Sequence, residues 1–479
     1  MDILLLPTLP IITGSIAIIL HRKKRLAQVL FFLCCLAVIT ILLMQLNQEK
    51  TFQIGGWGDT GITVGFDALN LPFMLSSIIV AVAVSLSAMT RATYDGFFYG
   101  LIMILLGSLN AVYISRDLFN IYVTFELASI VGYILIAYGK KGKQIWAAMK
   151  YALLSSVGFS VFLIGAGLAY ARTGSFSFLS LNEIGSLAGA LIFTGLSVKS
   201  GLFFVSMWLP DVYDSTPAEI PLLSGIIIKA EDYLILRFIT YDSFQWLAPM
   251  YLGVGAISAV IGAVYAFNAR KSQRVLAYHT FSQIGFIVTA SNIHGAWHAF
   301  SHSIFKGLLL LSAGKISERL KTQDLSKWKG KMTVGEYIPL LIGSLAIIGF
   351  PLTSGYVTKG GIIDSVPLTG VVMLTIASVA TVISFCKFVF IPLSKRKLKL
   401  PKLLIMSYVL LSSGILFHGV IKFDYYKLGE SLAVIGAGVV LYFLIRKYFR
   451  PISTKPEKLD ESLVLFVGFI AVVLTMLIL

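Results

Sequence analysis

Apolar residues in this chain come in long, nearly unbroken runs rather than in the alternating rhythm of a half-buried strand or the one-faced rhythm of an amphipathic helix. Sixteen such runs approach or exceed the roughly 17–25 residues that carry a helix across about 30 Å of hydrocarbon. They cover residues 3–20, 26–46, 71–89, 97–115, 118–138, 146–170, 187–213, 219–240, 249–269, 274–290, 296–314, 338–358, 368–392, 402–421, 430–445 and 462–479. The pattern predicts an all-α, polytopic membrane protein with about 14–16 transmembrane helices, depending on whether both of the last two runs cross. Between the second and third runs, QIGGWGDTGITVGFDALN combines turn dipeptides with alternating Ile62, Val64 and Phe66, which predicts a short external hairpin. Two runs interrupt themselves. The seventh breaks at Lys199-Ser200-Gly201 and ends at Trp208-Leu209-Pro210-Asp211; the twelfth breaks at Pro351 and Ser354-Gly355. A broken helix frees backbone groups that a membrane tolerates only inside protein or beside water.

Composition agrees with the pattern. The chain is 57% hydrophobic and 13% charged, where a soluble domain carries charge on about a quarter of its residues. The net charge of +16 would suit a nucleic-acid surface in a soluble protein; here it is sorted by membrane side instead. Loops after odd-numbered runs, among them HRKKR, Lys140 to Lys143, Arg270 to Arg274 and KRKLK, hold most of the 39 Lys and Arg residues. That bias predicts a multi-pass protein of the cell membrane with both termini on the non-cytoplasmic side, and no nucleic-acid partner. The first run is followed by HRKKR rather than a small-residue cleavage site, so it is expected to stay as a helix. Cys34 and Cys35 are adjacent, Cys386 is alone, and neither a CxxC pair nor a glycine-rich nucleotide loop occurs. No cofactor and no metal are therefore expected on the chain.

The polar residues inside the runs carry the chemistry. An ionised side chain at the bilayer centre costs about 2.5–3.5 kcal/mol on insertion scales, so such residues face a polar interior and mark ion or proton paths. Glu126 is the one ionisable residue of run 5, Lys150 lies a turn from the cytoplasmic end of run 6, where it either snorkels to the surface or joins the path, and Lys199 sits at the break of run 7. Run 8 holds Lys229 at its midpoint with Glu231 and Asp232 after it; Asp232, at i+3, reaches the lysine's face, whereas Glu231 points elsewhere, and either acid suits a proton station or a neutralising partner. Run 10 carries His279. In run 11, His298, His302 and Lys306 recur every four residues and stack on one face of one helix. That stripe suits proton transfer, because histidine exchanges protons near neutrality, and with no carboxylate to complete a ligand set it does not suit zinc. Lys359 follows the break of run 12, and Lys387 lies in run 13 between Phe385 and Phe388.

Runs 4 to 8 and 9 to 13 are five helices each, so the second set enters the membrane from the opposite side. Broken run 7 matches broken run 12, and Lys229 matches Lys387. Interrupted helices in matching positions of two inverted halves point to a transport path. The organisation expected is residues 1–96 as N-terminal helices with the hairpin, 97–240 and 249–392 as inverted repeats, and 402–479 as C-terminal helices.

The stretches VKSGLFFVSMWLPDVYDSTPAEIPLLSGIIIKAEDYLILR, RVLAYHTFSQIGF, HAFSHSIFKGLLLLSAGKI and GFPLTSGYVTKGGI resemble the antiporter-like proton-channel subunits shared by respiratory complex I, Mrp-type sodium/proton antiporters and membrane-bound hydrogenases. The resemblance runs over roughly residues 55 to 392 and, in length, is nearer the shorter D-type antiporter subunits. It implies Glu126 and Lys199 as the coupled pair of the first half, Lys229 as connecting lysine, His302 and Lys306 as central relay and Lys359 as the station of the second broken helix. Two positions depart from the family pattern. Where the family commonly has Lys-Ala-Gly before a tyrosine, this chain has Lys229-Ala230-Glu231-Asp232-Tyr233, and Ser206 stands where many relatives have histidine. The implied function is proton translocation, with or without sodium in exchange, alongside other membrane subunits of such an assembly. Whether the assembly is also an NADH-dehydrogenase-like or hydrogenase enzyme rests with those partners. The other readings are an autonomous transporter of a small solute, which calls for a substrate-shaped polar pocket, and a membrane-embedded enzyme, which calls for convergent catalytic residues in loops.

Overall fold

Hydrocarbon offers no partner for a backbone N–H or C=O, so the apolar runs close their hydrogen bonds within themselves as helices. A computed structural model of the chain describes residues 2–46, 48–55, 61–216, 219–448 and 459–478. Its helices are α1 (Leu5–Ile19), α2 (Lys24–Met44), α3 (Asn70–Met89), α4 (Gly96–Ile114), α5 (Leu118–Ile136), α6 (Gly142–Thr173), α7 (Ser186–Ser197), α8 (Leu209–Ser215), α9 (Ile220–Phe238), α10 (Asp242–Gln245), α11 (Ala248–Asn268), α12 (Ser272–Ala290), α13 (Ile293–Leu320), α14 (Val334–Ile348), α15 (Ser354–Ser365), α16 (Leu368–Val389), α17 (Lys402–Ile421), α18 (Leu428–Ile445) and α19 (Leu459–Ile478). Among the described residues, ten helices are long and apolar enough to cross a membrane, α18 and α19 included, and α1, α7 and α14 are shorter apolar helices. The protein is a polytopic, almost wholly helical membrane protein. Helix α12 falls outside the apolar set, yet all its residues are buried; it faces protein rather than lipid, so it has no need of an apolar surface.

Strands β1 (Lys50–Ile54) and β2 (Ile62–Phe66) form the antiparallel hairpin, Ile54 opposite Ile62; residues 56–60 of its predicted turn lie outside the described residues. The alternation in β2 does not divide solvent from core. Thr63 to Phe66 are all buried while Ile62 is exposed, because the strand is covered on both faces and also accepts the Arg116 N–H at Thr63.

Both interrupted helices are present. Helix α7 stops at Ser197, Gly201 takes a left-handed φ of 82°, and the chain turns helical again at Leu209. Helix α14 ends at Gly349, φ 80°, and Leu352 is left-handed at φ 67° before α15 opens at Ser354. The second break therefore lies at 349–353, around Pro351, and not at Ser354-Gly355. Those two residues begin the next half-helix, where Gly355 is a crossing point: a Cβ there would sit 1.8 Å from the Ala346 carbonyl oxygen of α14. Backbone cannot yield as a side chain can, so Gly355→Val is expected to cost at least about 3 kcal/mol. The yield of monodisperse protein in detergent, compared with wild type, checks it.

The helices divide into two compact units, residues 1–200, 226–248 and 459–479 in one and 201–225 and 249–458 in the other. In the first, α6 and α7 meet at Gly158 and Gly195, where a Cβ on Gly195 would lie 2.6 Å from the Gly158 oxygen. This close approach puts Phe159 of α6 beside the end of α7. Helix α19 packs along α7, with Phe469 against Phe193. In the second unit, α8 packs on α12, and its Asp211 and Asp214 hold Arg274 at 3.1 and 2.7 Å.

An ion-pair clamp fixes α9. Asp67, just after β2, receives both Arg237 nitrogens at 2.6 and 2.7 Å and Arg116 at 3.0 Å. Arg116 and Arg237 also reach the Tyr233 hydroxyl at 3.0 and 3.1 Å, and that hydroxyl donates to the Tyr113 carbonyl at 2.5 Å. Tyr233 lies one helical turn after Lys229, so the clamp sets the direction in which the lysine points. Burial opposes the charge on Asp67, but Arg237 and Arg116 outweigh it and hold the carboxyl below its usual range. A depressed carboxyl stabilises fully above its unfolded value of about 3.9 and loses that contribution as pH falls through the folded value. Asp67→Asn is expected to cost about 3 kcal/mol at neutral pH, because it leaves the guanidiniums uncompensated. The gap from wild type closes below about pH 3.9, and thermal unfolding followed across pH measures both.

Candidate functional site: buried lysines and their partners

In the first unit the helix break delivers Lys199, 0% exposed, into a pocket built by one turn of α5. Its ammonium donates to Ser129 Oγ at 2.6 Å, lies 3.6 Å from Glu126 Oε1, and faces the Phe125 and Phe159 rings at 4.5 and 3.8 Å. At 3.6 Å the carboxylate is an electrostatic partner without a hydrogen bond. Glu126 keeps 24% of its side chain exposed while Lys199 has none exposed. The fixed contact is therefore with a neutral serine and two rings, and the acid is the part with room to move.

On α9, Lys229 and Asp232 form a buried ion pair at i+3. Glu231 is also fully buried, and neither of its carboxyl oxygens is hydrogen-bonded to another residue. None of its side chain is exposed, so it does not point into lipid. Lys150 is 2% exposed, so it is buried within the protein and does not snorkel to the membrane surface.

In the second unit the α13 stripe is buried throughout, but its members meet different partners. His298 Nδ1 is 2.8 Å from Thr358 Oγ1, next to Lys359, and its Nε2 is 3.2 Å from Gln283 Oε1. The His302 ring meets Phe305 edge-on at 5.5 Å. Lys306 donates to the Leu276 carbonyl of α12. His279 Nε2 lies 2.7 Å from Ser384 Oγ, with its ring 4.6 Å from Phe385. Among the described residues, no three His, Cys, Asp or Glu side chains are grouped to hold a metal ion.

Lys359 donates to the Ile347 carbonyl at 2.7 Å, across the break, and lies over the Phe286 ring at 4.8 Å. It lines a cavity of about 570 Å³ together with Asp364, Lys427 and Glu430. Lys427 pairs with Asp364, whose side chain is 54% exposed, so the cavity joins the buried lysine to water through an ion pair. Lys387 is held differently: the carbonyls of Ala266, Phe267 and Ala269 take its ammonium at 2.8, 2.8 and 2.9 Å. All three close the end of α11, where a cation also offsets the helix dipole; this is the geometry of a helix anchor. Ser206 accepts from the Gly201 N–H at 3.0 Å and so satisfies backbone freed by the first break.

The residues that sequence reasoning passed over are Ser129, Gln283, Thr358 and Ser384, neutral partners with no pattern of their own.

The family model described as NADH:quinone oxidoreductase/Mrp antiporter, TM, matches residues 115–384, more than half of the chain. The match takes in both breaks and Lys199, Lys229, Lys306 and Lys359, and stops short of Lys387. The chain belongs to this family. It is 29% identical to the N subunit of the NADH-quinone oxidoreductase of Desulforudis audaxviator, over 62% of this chain and 64% of that protein. It is 28% identical to the D-type subunit of the Na(+)/H(+) antiporter of Alkalihalophilus pseudofirmus, over 76% of this chain and 80% of that protein. In fold it is similar to a chain of an archaeal membrane-bound sulfane sulfur reductase (TM-score 0.80, 24% identity, covering 92% and 98% of the two chains). A chain of the Mrp complex of a Dietzia species shares the fold at a TM-score of 0.82 and 18% identity, covering 98% of this chain and 59% of that one.

Proposed function

We propose that the chain is a proton-translocating subunit of a multisubunit membrane complex of the Mrp, complex I or hydrogenase type, with sodium exchanged for protons where the assembly is an antiporter. The observation that carries this reading is Lys199. A buried ammonium held by a serine hydroxyl, with a partly exposed carboxylate 3.6 Å away, is an arrangement whose charge depends on where the carboxylate sits. Burial works against a lysine's proton and a nearby carboxylate works for it. Movement of Glu126 toward Lys199 loads the lysine; movement away releases the proton to the next acceptor. Lys229 with Asp232, and in the second unit His302, Lys306 and Lys359, supply the further stations. The cavity beside Lys359 supports an outlet to water, with the Lys427–Asp364 pair at its mouth.

The protein lies in the cytoplasmic membrane with both termini outside, as the basic loops argue. Single cysteines in the 140–143 and 292–295 loops should label from opposite faces. The reading is tested by reconstitution. The assembled complex in liposomes is expected to move protons in response to its driving reaction or a cation gradient, and the chain alone is expected to show little coupled transport. Full coupled transport by the isolated chain would contradict subunit status and favour an autonomous transporter.

A further inference from the structure

The departure from the family pattern on α9 places a carboxyl with no cation of its own in the middle of the first unit. Asp232 occupies Lys229, and Glu126 with Ser129 occupies Lys199. Glu231 is 0% exposed, and neither oxygen has a hydrogen-bond partner. The groups facing it come from five elements. Lys199 acts on its charge from the turn after α7, Lys229 and Asp232 from its own helix, and the phenols of Tyr113, Tyr133 and Tyr151 from α4, α5 and α6. A bare carboxylate in such surroundings is too costly to persist, whereas a carboxylic acid, or a carboxylate beside a newly charged lysine, is not. Ile227, one helical turn before it on α9, packs on Gly132 of α5, one turn from the Ser129 that holds Lys199, so Glu231 lies on the face of α9 turned toward that lysine, with Asp232 of the Lys229 pair next to it in the chain.

The geometry points to Glu231 as a proton carrier between Lys199 and the Lys229–Asp232 pair, an inference that rests on the transport reading above. In one direction the Lys199 ammonium gives its proton to the Glu231 carboxylate, leaving a neutral amine and a carboxylic acid. The acid then gives the proton to whichever of Lys229 and Asp232 is deprotonated, and returns to carboxylate. Each transfer moves one proton and conserves charge within the group.

The test uses the assembled complex in proteoliposomes with E231Q and E231D. Glutamine keeps the volume and cannot carry the proton; aspartate keeps the carboxyl. E231Q should lower proton flux by about 100-fold or more at unchanged assembly, as loss of one proton-transfer group does, and E231D should restore part of it. Infrared difference spectra across a pH step should show a deuterium-sensitive carboxyl band in the wild type that E231Q removes. Flux in E231Q within twofold of wild type overturns the proposal. So does a lost flux without any such band in the wild type, which makes Glu231 a positioning residue, and so does a band that sodium rather than pH abolishes, which makes it a cation ligand. If the wild-type complex carries no protons at all, the transport reading fails, while the infrared band still reports whether Glu231 exchanges its proton.

Discussion

Lys199→Arg assembles normally and carries almost no protons. Guanidinium keeps the positive charge, so it can face Glu126 and stack on Phe125 and Phe159 as the ammonium does at 3.6, 4.5 and 3.8 Å. It does not release its proton at any working pH. A residue that only anchors Glu126 therefore tolerates arginine, and one that carries protons does not. Losing a proton-transfer group typically lowers a rate by about 100-fold or more, and that is the drop expected in flux through the assembled complex. Lys199→Ala should fail as well, but it removes charge and carrier together and so does not separate the two roles. His302→Ala gives an intermediate case: the buried ring packs on Phe305, and its removal should impair transfer at a stability cost of about 1–3 kcal/mol.

Lys359→Met and Lys387→Met should part company. Both remove an ammonium from the second unit at similar volume, buried at Lys359 and half-buried at Lys387. Lys359 makes one bond to a carbonyl and lines a cavity that reaches water, so methionine there should stop flux by about 100-fold or more while leaving the Lys427–Asp364 pair intact. Lys387 spends its donors on three carbonyls at the end of α11. Methionine there uncaps a helix and should cost about 1–3 kcal/mol of stability, with near-normal flux in whatever complex assembles. Thermal stability and flux per assembled complex, measured together, separate the pair; equal loss of flux in both would assign Lys387 to the path.

The membrane-spanning character, the hairpin and both interruptions were legible because each follows from a rule of the backbone: closed hydrogen bonds in hydrocarbon, turn dipeptides, and glycine or proline in a helical run. Lys199 and Glu126 were legible too, since a charge in an apolar run is conspicuous, while Ser129 was not. Geometry contributed by other helices was not legible. The rule that i+2 residues diverge on a helix turns Glu231 away from Lys229, yet it says nothing of Lys199, which arrives from the end of another helix. Lys387 looked like a station because nothing in its own run pairs with it; the carbonyls that hold it belong to α11. Lys150, near a helix end, has the sequence of a snorkelling residue and is buried by neighbours. The twelfth run gave two break signals, Pro351 and Ser354-Gly355, and only the proline marks the break. The glycine answers to the carbonyl of Ala346, which packs where its side chain would be.

The central claim is that protons pass through this chain by protonation and release at its buried lysines. Its most direct test is proton flux per assembled complex in proteoliposomes, wild type against a chain carrying Lys199→Arg, with partner subunits unchanged and assembly quantified for each. The account predicts flux at the background of protein-free liposomes for the variant. Flux within twofold of wild type would contradict it, leave Lys199 as a structural cation, and move the path to other groups.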